Sequence, residues 1–440
     1  MADSAAIGAF SLPPALRERV RAPAATPISP PRAGTSVVYL LRTCFRAHHN
    51  PALEVALRAA AALDVPLICV AVVEDTFPTN MRGANSISPP RRPTDRAAAF
   101  RLEALRELQP EFEARGTVLL VHVERDGCRP AVAMSLAAKA RLVVTDEHFG
   151  VEPHASAVAR VAQVGAPVWL CDCHCTVPSV LLSSAALSGG NAGFLRASAA
   201  LRSKRLDALW LPPPAPPPPH PPPASLPSWS MDLSAATAIE DALAMPSRRD
   251  ASVGRVRHTR GGPRAAAARW AAYVHGGGLR SYASHRNNPL ANDGKGASRM
   301  SAYVNAGMIC PYAMARDAAA ARCEKYLSEF VGFRESSHLW CLLHPGEYAV
   351  ASAAVPGWAR EQMRRHSTGG DSGQARPTLE ELEAGRSGDA LWDDCQRCLV
   401  ISGELHNNVS SHRPFGTSAG AAAHLSEGAR VFFGRQTRPG

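Results

Sequence analysis

The sequence lacks several features that would assign a protein to a well-marked class. It has no unbroken apolar run of the roughly 18 residues that a membrane-spanning helix needs, so no membrane role is expected. It has neither the H-E-x-x-H pattern of zinc proteases nor a G-x-x-x-x-G-K-[S/T] phosphate loop. No period of 20 to 50 residues repeats, which argues against a solenoid. What remains is a globular chain of 440 residues, long enough for two or three domains.

Net charge and cysteine content indicate which partners and which cellular compartment to expect. The 48 basic and 38 acidic side chains give a formal charge of +10, which suits a polyanion partner but is more often only a solvated surface. The 11 cysteines are odd in number and irregularly spaced, unlike a secreted disulfide framework. We therefore expect a reducing, intracellular compartment, with nucleus and plastid both open.

The first 180 residues predict a leader and an α/β domain. Residues 1–35 are rich in Ala, Pro, Ser and Arg, as in a disordered tail or an organelle transit peptide. Over residues 36–180, apolar runs such as SVVYLL and VPLICVAVV alternate with segments of helical spacing such as NPALEVALRAAAAL. This alternation predicts a doubly wound parallel sheet with helices on both faces.

The alternation ends after residue 180. Residues 181–264 contain LPPPAPPPPHPPP, a stiff polyproline segment, and then a basic stretch that could touch phosphate or simply remain solvated, so a linker is predicted. Residues 265–416 show helical stripes without strand alternation, which predicts an all-α domain. Residues 417–440 match neither pattern.

The segment CDCHC at residues 171–175 combines residue types that bind zinc. If extended, it places its three cysteines on one face and Asp172 and His174 on the other, so zinc would need further thiolates from Cys395 and Cys398. We favour buried thiols beside a hydrogen-bonded polar pair at a strand end, and no metal is predicted.

A second candidate site lies within residues 279–314. Two glycines loosen the chain, and Ser298 and Ser301 bracket the predicted start of a helix. Free backbone N–H groups at a helix N-terminus, with hydroxyl groups beside them, suit a phosphate. Serine capping alone is the simpler explanation of this stretch in isolation.

Five stretches, in this order, resemble the photolyase/cryptochrome family. VVYLLRTCFRAHHNPAL resembles the family's opening strand, with His49 in place of the usual Asp, and VWLCDCHCTVP resembles a strand end of its antenna domain. YASHRNNP with GASRMSAYVNAG resembles the flavin-binding stretch, and EFVGFRES a helix carrying Glu and an Arg-Glu pair. LWDDCQRCLVISGELHNN resembles the helix that ends in His-Asn-Arg, closest to class II photolyases and plant photolyase-like proteins.

The resemblance implies an antenna domain joined to a helical domain that binds flavin adenine dinucleotide (FAD). It implies catalytic roles for Asn407 and Glu329. Cofactor contacts are implied for Tyr282, Arg286, Ser298, Arg299, Met300, Ser301, Arg334 and Asn407. The family also carries an antenna chromophore, here a folate, a deazaflavin or none.

The C-terminal end departs from the family pattern. Asn408 replaces the Arg after His-Asn, and the following residues replace the family's Asp-x-Asp stretch and relay tryptophans, so we expect an incomplete flavin domain. The resemblance implies light-dependent repair of pyrimidine dimers in DNA by a monomeric lyase. Two alternatives stay open: a cryptochrome-like blue-light photoreceptor that binds flavin without repair, and an inactive truncated relative.

Overall fold

A computed structural model describes residues 10, 12–23, 31–75, 92–125, 131–147, 149, 152–207, 212–221, 226–256, 258–288, 296–345, 347, 355, 357–368 and 377–406. None of the helices in these ranges is both long enough and apolar enough to cross a membrane.

The N-terminal part is built on one six-stranded sheet. Its strands are β1 (Val20–Arg21), β2 (Ser36–Leu41), β3 (Leu67–Val73), β4 (Leu119–Val123), β5 (Ala140–Glu147) and β6 (Val168–Asp172). They lie in the order β1-β6-β5-β2-β3-β4, and all pairs are parallel except β1 with β6. Because the chain proceeds outward from β2 in one direction and then from β5 in the other, the sheet is doubly wound, as the alternation predicted.

Residues 12–23, part of the segment expected to be a disordered tail or transit peptide, pack against this domain. A short helix, α1 (Pro14–Arg17), buries Leu16 and leads into β1. The buried guanidinium of Arg19 donates from Nη1 to the carbonyls of Asp172 at 2.9 Å and Cys175 at 2.8 Å. Hydrogen bonds to a distant strand end, rather than local propensity, therefore order this segment.

Helices pack on both faces of the sheet, so the central strands are buried on both sides. The helices are α2 (Pro51–Leu63), α3 (Asp95–Ala114), α4 (Val132–Lys139) and α5 (Glu152–Gln163). In β2, Tyr39 and Leu41 face one apolar core and Val38 and Leu40 face the other. This two-sided burial explains why β2 reads as a continuous apolar run.

The predicted linker at residues 181–264 contributes buried residues to the main core, although many of its described residues are exposed. The 3₁₀ turn Ser179–Leu181 lies at its start, and it contains the 3₁₀ turn Ser184–Leu187 and the helices α6 (Gly190–Asp207) and α7 (Ala238–Ala244). Phe194, Leu233 and Ile239 are buried in the main core.

The C-terminal part is helical, as predicted. Its elements are α8 (Pro263–His275), α9 (Gly278–His285), α10 (Ser301–Asn305), α11 (Pro311–Ala320), α12 (Glu324–Leu327), a π-helical turn (Ser328–Phe333), α13 (Arg334–Leu343), α14 (Gly357–Thr368), α15 (Leu379–Ala384) and α16 (Ala390–Ser402). Helix α16 begins at the Asp389 cap and ends at Gly403, whose φ of 72° stops it.

Candidate functional site

Three distant stretches of the sequence meet beside α10. The first follows α9 and supplies Arg286, the second precedes α10 and supplies Arg299, and the third follows α16 and supplies Glu404 and His406. The Nε of Arg299 lies 3.7 Å from Oε2 of Glu404, and the His406 imidazole is hydrogen-bonded to the backbone of Arg286. Burial lowers the pKa of His406, which favours its neutral form.

Glu404 is the centre of a charged network that fixes this junction. Its Oε1 accepts hydrogen bonds from Nη1 of Arg269 at 2.9 Å and from the hydroxyl of Thr259 at 3.1 Å. Arg269 also donates to the carbonyl of Arg299 at 3.2 Å and lies over the ring of Tyr303. The polar segment after α16 therefore hydrogen-bonds α8 and the loop before α8, and it forms an ion pair with Arg299 before α10, which is why so apolar a helix ends in Gly-Glu-Leu-His.

A second carboxylate, Glu329, lies between two cations. Its Oε1 is 3.4 Å from Nη1 of Arg286 and 2.8 Å from Nζ of Lys325. Glu329 belongs to the π-helical turn between α12 and α13, a rare geometry that recurs at functional sites. The predicted residues Arg286 and Glu329 are thus brought together.

Aromatic side chains line the same region. The rings of Tyr282 and Tyr326 meet edge to face with centroids 5.0 Å apart, and Phe330 and Trp270 contact Tyr326 at 5.5 and 5.6 Å. Burial raises the pKa of Tyr282 to about 12 and that of Tyr326 well above its usual value. Both phenols therefore remain neutral, and Tyr326 is hydrogen-bonded to the side chain of Ser298.

The Ser298–Ser301 stretch forms the start of α10, as predicted. Met300 is buried, whereas the Arg299 side chain is 61% exposed and Ser301 is the exposed first residue of the helix. Arg299 has a φ of 54°, a left-handed conformation that is uncommon for a residue with a Cβ. The turn directs consecutive side chains alternately into the core and outward.

Arg334 lies at the edge of this cluster, with its guanidinium 5.0 Å from the centre of the Phe330 ring. Arg334 donates from Nη1 to the carbonyl of His174 at 2.7 Å, so it contacts the α/β domain. Its neighbour Glu335 is buried there and accepts from the backbone N–H groups of Thr176 and Val177 at 2.7 and 3.2 Å. Asn407 lies outside the described residues, so its role stays a prediction.

The CDCHC segment is a hydrogen-bonded strand end, as we favoured. All three cysteines are buried. The Asp172 carboxylate accepts from the N–H groups of His174 and Cys175 at 2.9 Å, and His174 Nε2 lies 3.0 Å from the Thr43 hydroxyl. No group of three or more metal-ligating side chains occurs in the part of the chain that the structure describes.

Sequence reasoning missed Arg269, Glu404 and Tyr326 as members of the site. Glu404 could have been predicted as a site residue, because it lies two residues before His406 in the sequence GELHNN. Nothing local in the sequence marks Arg269, because its role arises only when α8 packs beside α16.

Comparison with known proteins shows similarity to photolyases. The DNA photolyase family model matches residues 37–189. A deoxyribodipyrimidine photo-lyase of Methanothermobacter thermautotrophicus is 27% identical over 380 residues, covering 86% of this chain and 76% of the relative. One from Arabidopsis thaliana is 29% identical over 134 residues, covering 29% of this chain and 26% of the relative. These matches support the photolyase/cryptochrome family for this chain. Its predicted closeness to class II stays a prediction.

Solved structures of photolyases and a cryptochrome share the fold. A class III photolyase from Agrobacterium tumefaciens has a TM-score of 0.54 at 18% identity, covering 94% of this chain and 77% of that one. A Synechocystis cryptochrome has a TM-score of 0.53 at 15% identity, covering 93% and 83%. A Sulfolobus tokodaii photolyase containing two FAD molecules also has 0.53 at 15% identity, covering 85% and 73%.

The chemistry of the site suits the diphosphate of a dinucleotide cofactor. Four cations, Arg269, Arg286, Arg299 and Lys325, surround two carboxylates, which leaves an excess of positive charge. Arginine forks and exposed hydroxyls at a helix start are favourable phosphate ligands. The residues that could hold FAD phosphates therefore lie beside an aromatic, largely buried wall.

Proposed function

We propose that this chain binds FAD beside α10 and repairs cyclobutane pyrimidine dimers in DNA under blue light. The observation that carries the proposal is the convergence of Arg286, Arg299 and Glu404 from three separate stretches. Two curated relatives are named deoxyribodipyrimidine photo-lyase.

Each group at the site has a proposed task. Bound, reduced FAD would supply light-driven electron donation. Arg286 and Arg299 bind the diphosphate, and the Ser298 and Ser301 hydroxyls complete its hydrogen bonds, with Met300 anchoring the turn in the core. The aromatic side chains of Tyr282 and Tyr326 exclude water. Glu329 orients Arg286 and, with Asn407, lies at the substrate edge; Arg334 acts indirectly, by holding the two domains together.

Damaged DNA is the proposed partner of a monomeric protein. A dimerised pyrimidine pair is weakly stacked, so extruding it into the pocket costs less than extruding intact bases. Exposed arginines outside the flavin site would contact DNA phosphates, so affinity for DNA should fall steeply with salt. A folate or deazaflavin antenna is proposed for the α/β domain, whose sheet would position it.

The deciding experiment is an absorption spectrum of the purified chain reconstituted with FAD, followed by blue-light illumination with an oligonucleotide that contains one thymine dimer. Stoichiometric flavin and loss of dimers only in the light support repair. Bound flavin with a light-driven spectral change but no loss of dimers would assign the photoreceptor role instead. Failure to bind flavin would overturn both.

A further inference from the structure

Cys310 and His49 meet at the junction between the two domains. Cys310 immediately precedes α11 of the helical domain, whereas His49 lies between β2 and α2 of the α/β domain. Their side chains are hydrogen-bonded, and both line a cleft that is also lined by Arg46 and Cys173. A thiol, an imidazole and the buried guanidinium of Arg46 thus converge from two domains, outside the site beside α10.

The surroundings of Cys310 favour its thiolate form. Burial alone would raise the pKa of Cys310, but its hydrogen bond with His49 and the positive charge of Arg46 lower that pKa below the usual thiol value. A backbone hydrogen bond with Ala313, in the first turn of α11, acts in the same direction. The hydrogen bond with Cys310 in turn raises the pKa of His49. Opposite shifts in two hydrogen-bonded partners are those of a thiolate–imidazolium pair.

His49 is the residue that replaces Asp in the opening motif of this chain. An aspartate at this position would raise the pKa of a neighbouring thiol, because a second negative charge disfavours the thiolate. The φ of His49 is 53°, in the left-handed region that Asn, Asp and His adopt more often than other residues with a Cβ. The backbone therefore accommodates histidine, and the histidine supplies a positive charge beside Cys310.

The cleft limits which reactants reach the thiolate. Cys310 is 8% exposed, and the cleft has a volume of about 10 Å³, enough for about one water molecule. His49 is an exposed residue, so the pair lies close to the protein surface. A reactant little larger than water, such as hydrogen peroxide, therefore fits more readily than a bulky thiol or disulfide.

We propose that Cys310 is a modification site at which hydrogen peroxide oxidises the thiolate to a sulfenic acid. The sulfur attacks one peroxide oxygen, so an S–O bond forms and the O–O bond breaks. The departing hydroxide takes the proton of the His49 imidazolium and leaves as water. The sulfur is thereby oxidised by two electrons and the peroxide is reduced. The role of Arg46 is to favour the thiolate before the attack, because the thiolate is the reactive form.

The test treats the full-length chain with hydrogen peroxide and traps sulfenic acids with dimedone. Peptide mass spectrometry then gives the labelling rate at Cys310 and at Cys398, an exposed cysteine that serves as the internal reference. We expect Cys310 to be labelled at least roughly tenfold faster than Cys398 despite its burial, because the thiolate is the reactive form. In urea, where the fold is lost, the two cysteines should be labelled at similar rates.

A pair of matched variants tests the role of His49. His49→Asn removes the imidazole but keeps a residue that tolerates the left-handed backbone, so labelling of Cys310 should slow at least roughly tenfold. His48→Asn, the same change at the exposed neighbour, is the control and should leave the rate unchanged. Circular dichroism checks that both variants are folded.

Two results would overturn the proposal. One is labelling of Cys310 in the folded chain that is no faster than labelling of Cys398. The other is a folded His49→Asn variant in which Cys310 reacts at the native rate. The experiment needs no flavin and no light, so its outcome is separate from that of the proposed function.

Discussion

Arg46 and Gly307 join the two domains through a hydrogen bond of 2.8 Å from the guanidinium Nη1 to the glycine carbonyl. The same guanidinium donates from Nε to the carbonyl of His49 at 2.9 Å and from Nη2 to that of Cys173 at 2.8 Å. One buried cation thus binds carbonyls after β2, after β6 and in the helical domain. Gly307 permits this approach, because a Cβ there would lie 2.3 Å from the carbonyl oxygen of Thr43.

Replacing Arg46 by alanine should destabilise the protein strongly. Two buried carbonyls and one part-buried carbonyl would lose their donor, and each unsatisfied buried group costs about 1–3 kcal/mol, so we expect the free energy of unfolding to fall by roughly 3 kcal/mol or more. Urea denaturation measures it. The control Arg264→Ala removes an exposed arginine 3.5 Å from Glu107 and should cost less than about 0.5 kcal/mol. Equal losses in both variants would contradict this role of Arg46.

The burial of Glu147 beside Arg21 should make the free energy of unfolding depend on pH. Glu147 is buried at the end of β5 and accepts from Nε of Arg21 at 2.8 Å, yet burial raises the pKa of Glu147 from 4.5 to about 7. The folded state therefore keeps a proton that the unfolded state releases. Between about pH 4.5 and pH 7, this group's contribution to the free energy of unfolding should fall by about 3 kcal/mol as pH rises.

Glu147→Gln removes that titration and provides the measurement. The stability of the variant relative to the native chain should increase from pH 5 to pH 8 in urea denaturation. Glu361→Gln is the matched control, because arginine hydrogen bonds lower the pKa of exposed Glu361 to about 2, below the tested range. A difference between Glu147→Gln and the native chain that does not vary with pH would show that Glu147 is ionised throughout.

The parallel strands could be predicted because two-sided burial leaves a visible mark on the sequence. Each of β2 to β6 is an apolar run, whereas β1 has only two residues and is ordered by Arg19. Helix α6 was missed because it has no apolar stripe. Phe194 is buried, but most other side chains of the helix are small or polar and exposed. The local sequence pattern predicts strands and helices that bury an apolar face. It fails for segments that are ordered by contacts with residues far away in the sequence.

The contacts of the candidate site could likewise be predicted only in part, because some of them depend on how distant segments pack. Family motifs singled out Arg286, Arg299 and Glu329, and the structure brings Arg286 within 3.4 Å of Glu329, while their roles stay predictions. The partner of Arg334 could not be predicted, since a long arginine side chain reaches acceptors on several sides. Its contact with the carbonyl of His174 depends on how the two domains meet.

Tyr326 should contribute to stability mainly through packing. Its ring contacts Tyr282, Trp270 and Phe330, and only 4% of the residue is exposed. Tyr326→Ala should cost about 3–5 kcal/mol, whereas Tyr326→Phe should cost about 1 kcal/mol by removing the hydrogen bond to Ser298. A double-mutant cycle with Ser298→Ala, by urea denaturation, should show coupling. Strict additivity would mean that the hydrogen bond does not form.

Arg286 should contribute to FAD affinity through its positive charge. The Arg286→Ala variant loses a cation that would contact the diphosphate, and a charged hydrogen bond is worth about 1.5–3 kcal/mol, or roughly tenfold to hundredfold in affinity. Fluorescence titration with FAD measures this, with Arg264→Ala as the control of equal charge change. An unchanged dissociation constant for Arg286→Ala would place the diphosphate elsewhere.

Glu329→Gln separates two roles that the geometry allows for this carboxylate. Glu329 lies 3.4 Å from Arg286, so it offsets the charge that would attract the diphosphate. If that is its only role, the variant should bind FAD more tightly, because Arg286 is released, and should repair thymine dimers at the native rate. Because we place Glu329 at the substrate edge as well, we expect tighter FAD binding together with slower light-driven repair. Dimer loss per absorbed photon at saturating FAD distinguishes the two, and an unchanged yield would remove Glu329 from the substrate edge.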